Sequence, residues 1–321
     1  MTADLPISFA DVAEAAIRIE GHVHHTPVLR SRRLDDILGA RLAFKCENFQ
    51  RIGAFKARGA HNAVLALDAA AAARGVVTHS SGNHAAALSL AAATRGVPAY
   101  IVMPENAPRA KVDSVLRLGG QVEFCAPTIA AREAAAAAIV AARGATLVHP
   151  YDDPMVIAGQ GTAAMELLDA AGPLDAILAP VGGGGLMSGT AVAARTLQPS
   201  IRIIATEPAQ ADDAWRSWKA GERVAGDPPD TIADGLRTTL GANGFLILSA
   251  LLDDFVTVSE AAIVEAMRLV WEVLKIVIEP SSAVPVAALI EGKVDVKGAE
   301  VGVILTGGNV DLDRLPWQKG L

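Results

Sequence analysis

Residues 175–197 have the sequence DAILAPVGGGGLMSGTAVAARTL, which places a glycine-rich loop between a predicted strand and a predicted helix. The run DAILAPV is short and apolar on both faces, which is typical of a strand buried in a parallel sheet. The backbone N–H groups of Gly182, Gly183, Gly184 and Gly185 can converge on an anion where the helix begins. Four successive glycines cost more conformational freedom than a plain turn needs, so the loop predicts a phosphate site.

The loop matches neither of the two best-known phosphate-binding patterns. It lacks the G-x-G-x-x-G arrangement of dinucleotide sites and the Gly-Lys-Ser/Thr ending of a P-loop. The sequence therefore favours a ligand with a single phosphate over a nicotinamide dinucleotide or a nucleoside triphosphate.

The same alternation of strand and helix runs along most of the chain. Apolar, β-branched runs predict strands at 76–80, 99–104, 121–125, 175–181, 201–208, 254–259 and 301–307. Longer Ala- and Leu-rich segments predict helices at 57–72, 85–96, 132–144 and 261–275. This order predicts an α/β fold of mostly parallel sheets covered by helices. In such folds ligands bind beyond the carboxyl ends of the strands.

Composition excludes several classes of protein. The chain has 321 residues, enough for two domains, and a net charge of −7, which argues against nucleic-acid binding. Hydrophobic residues make up 51%, far too many for a disordered chain, but no uncharged apolar run is long enough to span a membrane. The first residues carry acids where a signal peptide carries bases, and two cysteines give no disulfide scaffold. We expect a cytoplasmic protein.

Three further loops carry polar groups at the same predicted edge of the fold. Lys56 follows Phe55 at the start of a helical segment, where burial and the helix dipole favour the neutral amine that a Schiff base requires. The sequence SSGNH at 80–84 combines hydroxyls, an amide and a helix start, as an anion site does. Thr306 ends a strand beside a Gly-Gly turn. Together with the glycine loop, these features predict a pyridoxal phosphate pocket.

The chain resembles the fold type II, or β-family, of pyridoxal-phosphate enzymes, in the branch of serine/threonine dehydratases and serine racemases. Eight blocks carry the resemblance in the family's order: KCENFQRIGAFKARGA, SSGNHA, HPYDDPMVIAGQGT, VGGGGLMSG, EPAQADD, TIADG, IEPSSAVPVAAL and LTGGNVDL. The resemblance implies two open, twisted, mostly parallel sheets in two domains. The large domain would comprise 1–70 and 153–321, and a small, mobile domain, 71–152, would carry the SSGNH loop.

The resemblance also implies a role for each matching residue. Lys56 would form the Schiff base and act as a catalytic base, Phe55 would lie against the pyridine ring, and Ser81 would serve the opposite face of Cα in a racemase. The implied cofactor contacts are Phe55, Lys56, Asn83, Gly182, Gly183, Gly184, Gly185, Leu186 and Thr306. The implied substrate contacts are Ser80, Ser81, Asn83 and His84.

The implied function is α,β-elimination of a 3-hydroxy amino acid to a 2-oxo acid and ammonia. Thr306 would leave the pyridine nitrogen unprotonated, since a hydroxyl lacks the charge of a carboxylate, and this favours elimination over transamination. Candidate substrates are serine, threonine, 3-hydroxyaspartate and phenylserine, with Arg237 as a cation for a distal carboxylate. The alternatives are a serine racemase with dehydratase activity, a β-replacement enzyme of the cysteine-synthase type, and a non-catalytic protein that binds pyridoxal phosphate or another small molecule.

The resemblance also implies a bound divalent cation and a homodimer. In the racemase branch the cation is held by a glutamate, an alanine carbonyl and an aspartate, which match Glu207, Ala211 and Asp213 in EPAQADD. Two carboxylates with a backbone carbonyl suit Mg²⁺, Ca²⁺ or Mn²⁺. The sequence departs from the family at Ala54, where a serine is usual, and at Ala86, where a glutamine is usual.

Overall fold

The computed structural model describes residues 5–318, so both ends of the predicted large domain, 1–4 and 319–321, lie outside the described residues. Ten strands lie within that range. They are β1 (Val28–Leu29), β2 (Arg41–Cys46), β3 (Val76–His79), β4 (Ala99–Pro104), β5 (Gln121–Cys125), β6 (Thr146–Leu147), β7 (Ala176–Pro180), β8 (Arg202–Pro208), β9 (Asp254–Val258) and β10 (Glu300–Leu305).

The α-helices between residues 5 and 318 number thirteen. They are α1 (Phe9–Ile19), α2 (Arg32–Leu38), α3 (Lys56–Ala66), α4 (Ala69–Arg74), α5 (Asn83–Arg95), α6 (Arg109–Arg117), α7 (Ile129–Arg143), α8 (Pro154–Ala171), α9 (Gly185–Leu197), α10 (Asp213–Ala220), α11 (Ala242–Leu251), α12 (Glu260–Leu274) and α13 (Pro280–Ile290). Short 3-10 turns cover Glu47–Phe49, Arg51–Gly53 and Asp234–Leu236.

The strands form two sheets. A six-stranded sheet has the order β1-β2-β10-β7-β8-β9, and a four-stranded sheet has the order β5-β4-β3-β6. Every strand pair is parallel except β1–β2. The predicted α/β fold with two mostly parallel sheets is therefore confirmed.

Helices cover both faces of each sheet, as near-continuous apolar strands require. On the six-stranded sheet, one core joins α2, α12 and α13, and the other joins α1, α8, α9 and α11. On the four-stranded sheet, α3, α5 and α6 pack on one face and α7 packs on the other. The turn-rich segment 221–235 is mostly exposed, as predicted.

Helix α3 joins the two sheets, because it packs both on α5 of one and on α8 of the other. Gly59 and Gly159 allow this contact: a Cβ at Gly159 would lie 2.6 Å from the Cα of Gly59. The amide of Gly59 also donates to Gln160 Oε1 of α8 at 3.1 Å. The backbone of α3, the helix that begins at Lys56, is thus in direct contact with the six-stranded side.

The two cysteines differ in accessibility. Cys46 ends β2 and is fully buried, and burial raises the pKa of its thiol to about 12. Cys125 ends β5, the edge strand of the four-stranded sheet, and is half-buried. Both thiols are free.

Candidate active site

Lys56 occupies the first position of α3. Its Nζ donates a hydrogen bond to the carbonyl of Pro150 at 2.7 Å and lies 5.1 Å from the centre of the Phe55 ring. Burial lowers the pKa of the amine to about 8, although the nearby carboxylate of Glu279 opposes this shift. A substantial fraction of the amine is therefore neutral near physiological pH, as a nucleophile and base require.

The glycine loop connects β7 to α9. Gly184 has φ of +91°, a left-handed conformation that favours glycine, and the thirteen-residue helix α9 begins at Gly185. A Cβ at Gly183 would lie 2.1 Å from the ring of Tyr151, so no other residue fits there without displacing that ring. The loop thus ends at a helix N-terminus whose free N–H groups suit a phosphate. Leu186 follows in the first turn and is buried.

The SSGNH loop lies between β3 and α5. Ser80 and Ser81 are half-buried, and Asn83 opens the helix. The Asn83 amide group donates to both oxygens of Glu279 at 3.2 Å and accepts from Asn309 Nδ2 at 2.9 Å. These contacts link the four-stranded side of the molecule to the loops around β10.

Glu279 is a site residue that sequence reasoning missed. It is 3% exposed, accepts from the backbone N–H of Asn309 at 3.2 Å, and donates its own N–H to the carbonyl of Gly307 at 3.0 Å. Burial raises the pKa of this carboxyl to about 7, and the charge of Asp234 adds to the shift. The sequence signal for Glu279 was an acidic residue within the otherwise apolar segment VIEP at 277–280.

Thr306 directly follows β10 and is buried. Its hydroxyl lies 3.0 Å from the hydroxyl of Ser282, which also contacts the backbone of Gly307 in both directions at 2.7 Å. The carbonyl of Thr306 accepts from the N–H of Phe55 at 2.9 Å, so the strand end is tied to the lysine segment. Ser282 was a second residue that the sequence did not single out.

The histidines around the lysine are neutral. Burial lowers the pKa of His84 well below its usual value and that of His149 to about 4, and the charge of Lys56 contributes to both shifts. His84 Nε2 lies 3.2 Å from the carbonyl of Val148, while its buried Nδ1 has no partner among the described residues. An unpartnered buried nitrogen beside the lysine marks room for a polar group of a ligand.

A buried ionic network lies below α3. The guanidinium of Arg58 makes two 2.8 Å hydrogen bonds to the carboxylate of Glu47, and it also donates to Glu166 of α8. Lys45 of β2 donates to Glu166 at 2.5 Å and to the carbonyl of Thr26 at 2.6 Å. Because each charge meets an opposite charge, these groups can be buried together, and they anchor the helix that presents Lys56.

Glu207 and Asp213 lie close together, where β8 ends and α10 begins. Glu207 is fully buried, and its Oε2 accepts from the N–H of Trp215 at 2.9 Å while Oε1 has no partner among the described residues. Asp213 accepts from the N–H of Leu240 at 2.8 Å. Burial raises the pKa of both carboxyls, and the charge of Asp213 raises that of Glu207 further. Ala211 is buried beside them.

Two arginines contrast in what they offer a substrate. Arg237 donates from Nε and Nη2 to the carbonyl of Thr231, and its role with a distal carboxylate stays a prediction. Arg132, in the first turn of α7, has a buried Nε with no partner within residues 5–318. It lies close enough to His79, the residue before Ser80, to lower the pKa of that imidazole.

Residues 19–307 match the family model described as "Pyridoxal-phosphate dependent enzyme". The chain belongs to that family. It is 52% identical to the beta-hydroxyaspartate dehydratase of Paracoccus denitrificans, with 97% of this chain and 98% of the relative covered. It is 50% identical to the serine racemase of Arabidopsis thaliana, with 95% and 93% covered. The crystal structure of a threonine deaminase from T.th. superposes with a TM-score of 0.91 at 43% identity, covering 96% of this chain and all of that chain.

Membership of the pyridoxal-phosphate-dependent family confirms the predicted fold type and cofactor. The pocket suits the cofactor independently of this match, because it combines a partly neutral Lys56, a glycine loop at a helix start, the hydroxyl of Thr306 and the unpartnered Nδ1 of His84. The individual cofactor contacts stay predictions. No helix within residues 5–318 is long and apolar enough to cross a membrane.

Proposed function

We propose that the chain catalyses pyridoxal-phosphate-dependent elimination of water from a 3-hydroxy amino acid, followed by hydrolysis to a 2-oxo acid and ammonia. The observation that carries this proposal is the buried Lys56 amine, which is hydrogen-bonded to the Pro150 carbonyl and has its pKa lowered to about 8. The similarity to dehydratases and deaminases supports the same reaction class.

The roles of the residues follow from their positions. When bound, pyridoxal phosphate supplies an electron sink for the pair left at the substrate Cα. Lys56 removes the Cα proton, and the SSGNH loop holds the substrate carboxylate. The uncharged hydroxyl of Thr306, paired with that of Ser282, would serve the pyridine nitrogen without protonating it.

The direct test is the Lys56→Ala variant. We expect the purified wild type to show a visible chromophore that borohydride reduces onto Lys56, and to release 2-oxo acid from a 3-hydroxy amino acid. The variant should lose both, with turnover falling by at least about 10³-fold because base and attachment point vanish together. Full turnover by the variant would overturn the proposal.

We propose 3-hydroxyaspartate as the preferred substrate, with Arg132 holding its distal carboxylate. The unpartnered guanidinium nitrogen beside the SSGNH loop supports this choice, as does the similarity to a beta-hydroxyaspartate dehydratase. Burying such a nitrogen is costly unless a partner arrives.

The Arg132→Gln variant tests this specificity. Loss of a charge-assisted contact should lower kcat/KM for 3-hydroxyaspartate about 10- to 100-fold and change that for serine by less than about threefold. Arg143→Gln, on the same helix but stacked on Tyr100, is the matched control. Equal losses for both substrates would contradict the assignment.

Serine racemisation is the second candidate activity, favoured by Ser81 in the SSGNH loop and by the similarity to plant serine racemase. Ser81→Ala should abolish conversion of L-serine to D-serine while sparing elimination from the isomer whose Cα proton faces Lys56. Chiral chromatography of the remaining serine measures this. Absence of D-serine with the wild type would exclude the activity.

We also propose that Glu207, Asp213 and the Ala211 carbonyl hold a divalent cation. Between residues 5 and 318 no cluster of three or more His, Cys, Asp or Glu could hold a metal, but this set needs only two carboxylates. A bound cation would give Glu207 Oε1 a partner, and it would favour the ionised form of both acids, whose pKa values are raised by burial. A chelator should lower the melting temperature of the wild type and not of Glu207→Gln, and Mg²⁺, Mn²⁺ or Ca²⁺ should restore it.

We also propose that the chain forms a homodimer and is located in the cytoplasm. The apolar side chains of Phe49 and Val277 are 47% and 43% exposed on adjacent segments, which Asn48 joins through a 3.1 Å bond to the Val277 carbonyl. Such a patch suits a second copy of the chain. Light scattering should give twice the mass of the chain for the wild type and the single-chain mass for Phe49→Glu.

A further inference from the structure

The segment 148–153, which connects β6 to α8, contacts several parts of the site at once. The carbonyl of Val148 lies 3.2 Å from His84 Nε2, and the carbonyl of Pro150 accepts from Lys56 Nζ at 2.7 Å. Asp152 accepts from the N–H groups of Ala242 and Asn243 at 2.9 and 2.8 Å, and so caps α11. A side chain in this segment is therefore able to set distances across the pocket.

Tyr151 is the side chain that reaches the glycine loop from this segment. Its ring fills the space beside Gly183, within 2.1 to 2.5 Å of where a Cβ would be. Its backbone fills the space beside Gly185, where a Cβ would meet the Tyr151 carbonyl oxygen at 2.7 Å. One residue therefore packs directly against two of the four glycines.

The ring of Tyr151 is also in contact with a second aromatic ring. The imidazole of His149 meets it edge-on, with ring centres 4.6 Å apart. Burial raises the pKa of the phenol, so the hydroxyl stays protonated at neutral pH.

We propose that Tyr151 is a positioning residue that sets the separation between the phosphate-binding loop and Lys56. The ring fixes the loop on one side, and the adjacent Pro150 carbonyl fixes the amine on the other. The two halves of the cofactor site are thus connected through two consecutive residues. This proposal rests on the placement of the phosphate at Gly182–Gly185.

Paired variants separate the ring from the phenol. Tyr151→Leu removes the aromatic ring that packs beside Gly183, while Tyr151→Phe keeps it. We expect Tyr151→Leu to raise the Kd for pyridoxal phosphate about 3- to 10-fold, because the glycine loop loses the group that fixes it. It should also shift the pH profile of the visible chromophore, whereas Tyr151→Phe should stay within about twofold of the wild type. Tyr100→Leu is the matched control, because the chain has two tyrosines and Tyr100 lies in β4.

The two tyrosines also allow a readout independent of catalysis. Protein labelled with 3-fluorotyrosine should give two ¹⁹F signals, which Tyr100→Phe assigns. Pyridoxal phosphate, and inorganic phosphate alone at higher concentration, should move the Tyr151 signal and leave that of Tyr100 in place.

The outcomes separate this proposal from the proposed function. If the wild type forms the chromophore but Tyr151→Leu changes the Kd by no more than twofold, or the Tyr151 signal does not move, the positioning role is wrong. If the wild type forms no chromophore with pyridoxal phosphate at all, the placement of the cofactor fails first.

Discussion

Burial brings the pKa values of both Lys56 and Glu279 close to neutral pH. Burial lowers the pKa of the amine to about 8 and raises that of the carboxyl to about 7. The charge of Glu279 opposes the shift of the amine, because an opposite charge favours ionisation. Hydrogen bonds from Asn83 and Asn309 oppose the shift of the carboxyl in the same way. The pair can therefore exchange protons with a substrate near physiological pH.

Glu279 should make stability depend on pH in the cofactor-free protein. With its pKa raised from 4.5 to about 7, the folded chain binds the proton more tightly than the unfolded chain between those pH values. The free energy of unfolding should thus fall as pH rises through this window, by about 3 kcal/mol in total. Urea unfolding of the wild type and Glu279→Gln at pH 5 and 8 measures the difference, with the surface variant Glu123→Gln as control. Parallel pH curves for all three proteins would contradict this.

Lys56 should set the pH dependence of cofactor capture. Because only the neutral amine attacks an aldehyde, the rate at which apo-protein takes up pyridoxal phosphate should rise about tenfold per pH unit below 8 and level off above it. Stopped-flow absorbance follows the uptake. A rate that keeps rising through pH 10, as for an ordinary lysine, would show that burial does not lower the pKa.

The sequence was informative about residues whose chemistry is unusual for their setting. Lys56 after an aromatic residue and the four glycines could be predicted, because few other roles suit them. Glu279 and Ser282 could not be ranked from sequence, since their importance comes from Asn83 and Thr306, which are far away along the chain. Arg132 was missed because its unpartnered nitrogen is visible only once β3 and α7 are packed.

At the scale of elements, two adjacent aspartates cap the N-termini of two different helices. Asp153 caps α8 through the N–H groups of Met155 and Val156, at 2.8 and 3.2 Å. Asp152 caps α11, about ninety residues further along the chain, through Ala242 and Asn243. The segment before α8 is therefore fixed to both helices by side chains that satisfy free backbone donors.

Removal of the long-range cap should loosen α11 selectively. Asp152→Ala should cost about 1–2 kcal/mol of unfolding free energy, because several N–H groups at the start of α11 lose their acceptor. Hydrogen exchange should speed up at residues 242–251. Asp68→Ala, which removes the cap of the short helix α4, is the control and should leave α11 unchanged. Unchanged exchange in α11 after Asp152→Ala would mean that packing alone orders the helix.

Seven strands were predicted from apolar runs, and all seven form. Three strands were not predicted: β1 and β6, which are two residues long, and β2, to which Arg41 and Lys45 give a polar character. Lys45 is nevertheless fully buried, since Glu166 and the Thr26 carbonyl accept its hydrogens. The predicted helix 57–72 is divided in two where Asp68 caps α4. Local pattern could not reveal these long-range partners.

At the scale of the whole molecule, the site is assembled from both sheets. Asn83 comes from the four-stranded side, while Glu279, Thr306 and the glycine loop come from the six-stranded side. A salt bridge of 2.9 Å between Lys111 and Asp234 joins the two sides as well, but both charges are solvent-exposed, so it contributes little. Helix α3 joins the two sides directly, and the cofactor should add a further connection within the pocket.

Pyridoxal phosphate should stabilise both sides of the molecule together. At a concentration of 100 Kd the linked stabilisation is about 2.7 kcal/mol. All four tryptophans lie outside residues 71–152, so fluorescence reports on the six-stranded side and far-ultraviolet circular dichroism reports on both. We expect the two melting midpoints to rise equally with the cofactor. A rise seen by fluorescence alone would confine the pocket to one side.

The positions of the two cysteines make the relative movement of the two sheets measurable without engineering. Cys46, at the end of β2, is fully buried, and burial raises the pKa of its thiol to about 12. At neutral pH it should therefore resist alkylation. Cys125, half-buried at the edge of the four-stranded sheet, is left as the single attachment point for a maleimide dye. Energy transfer from the tryptophans of the other side to that dye would report any change in the distance between the two sheets during turnover, in the native chain.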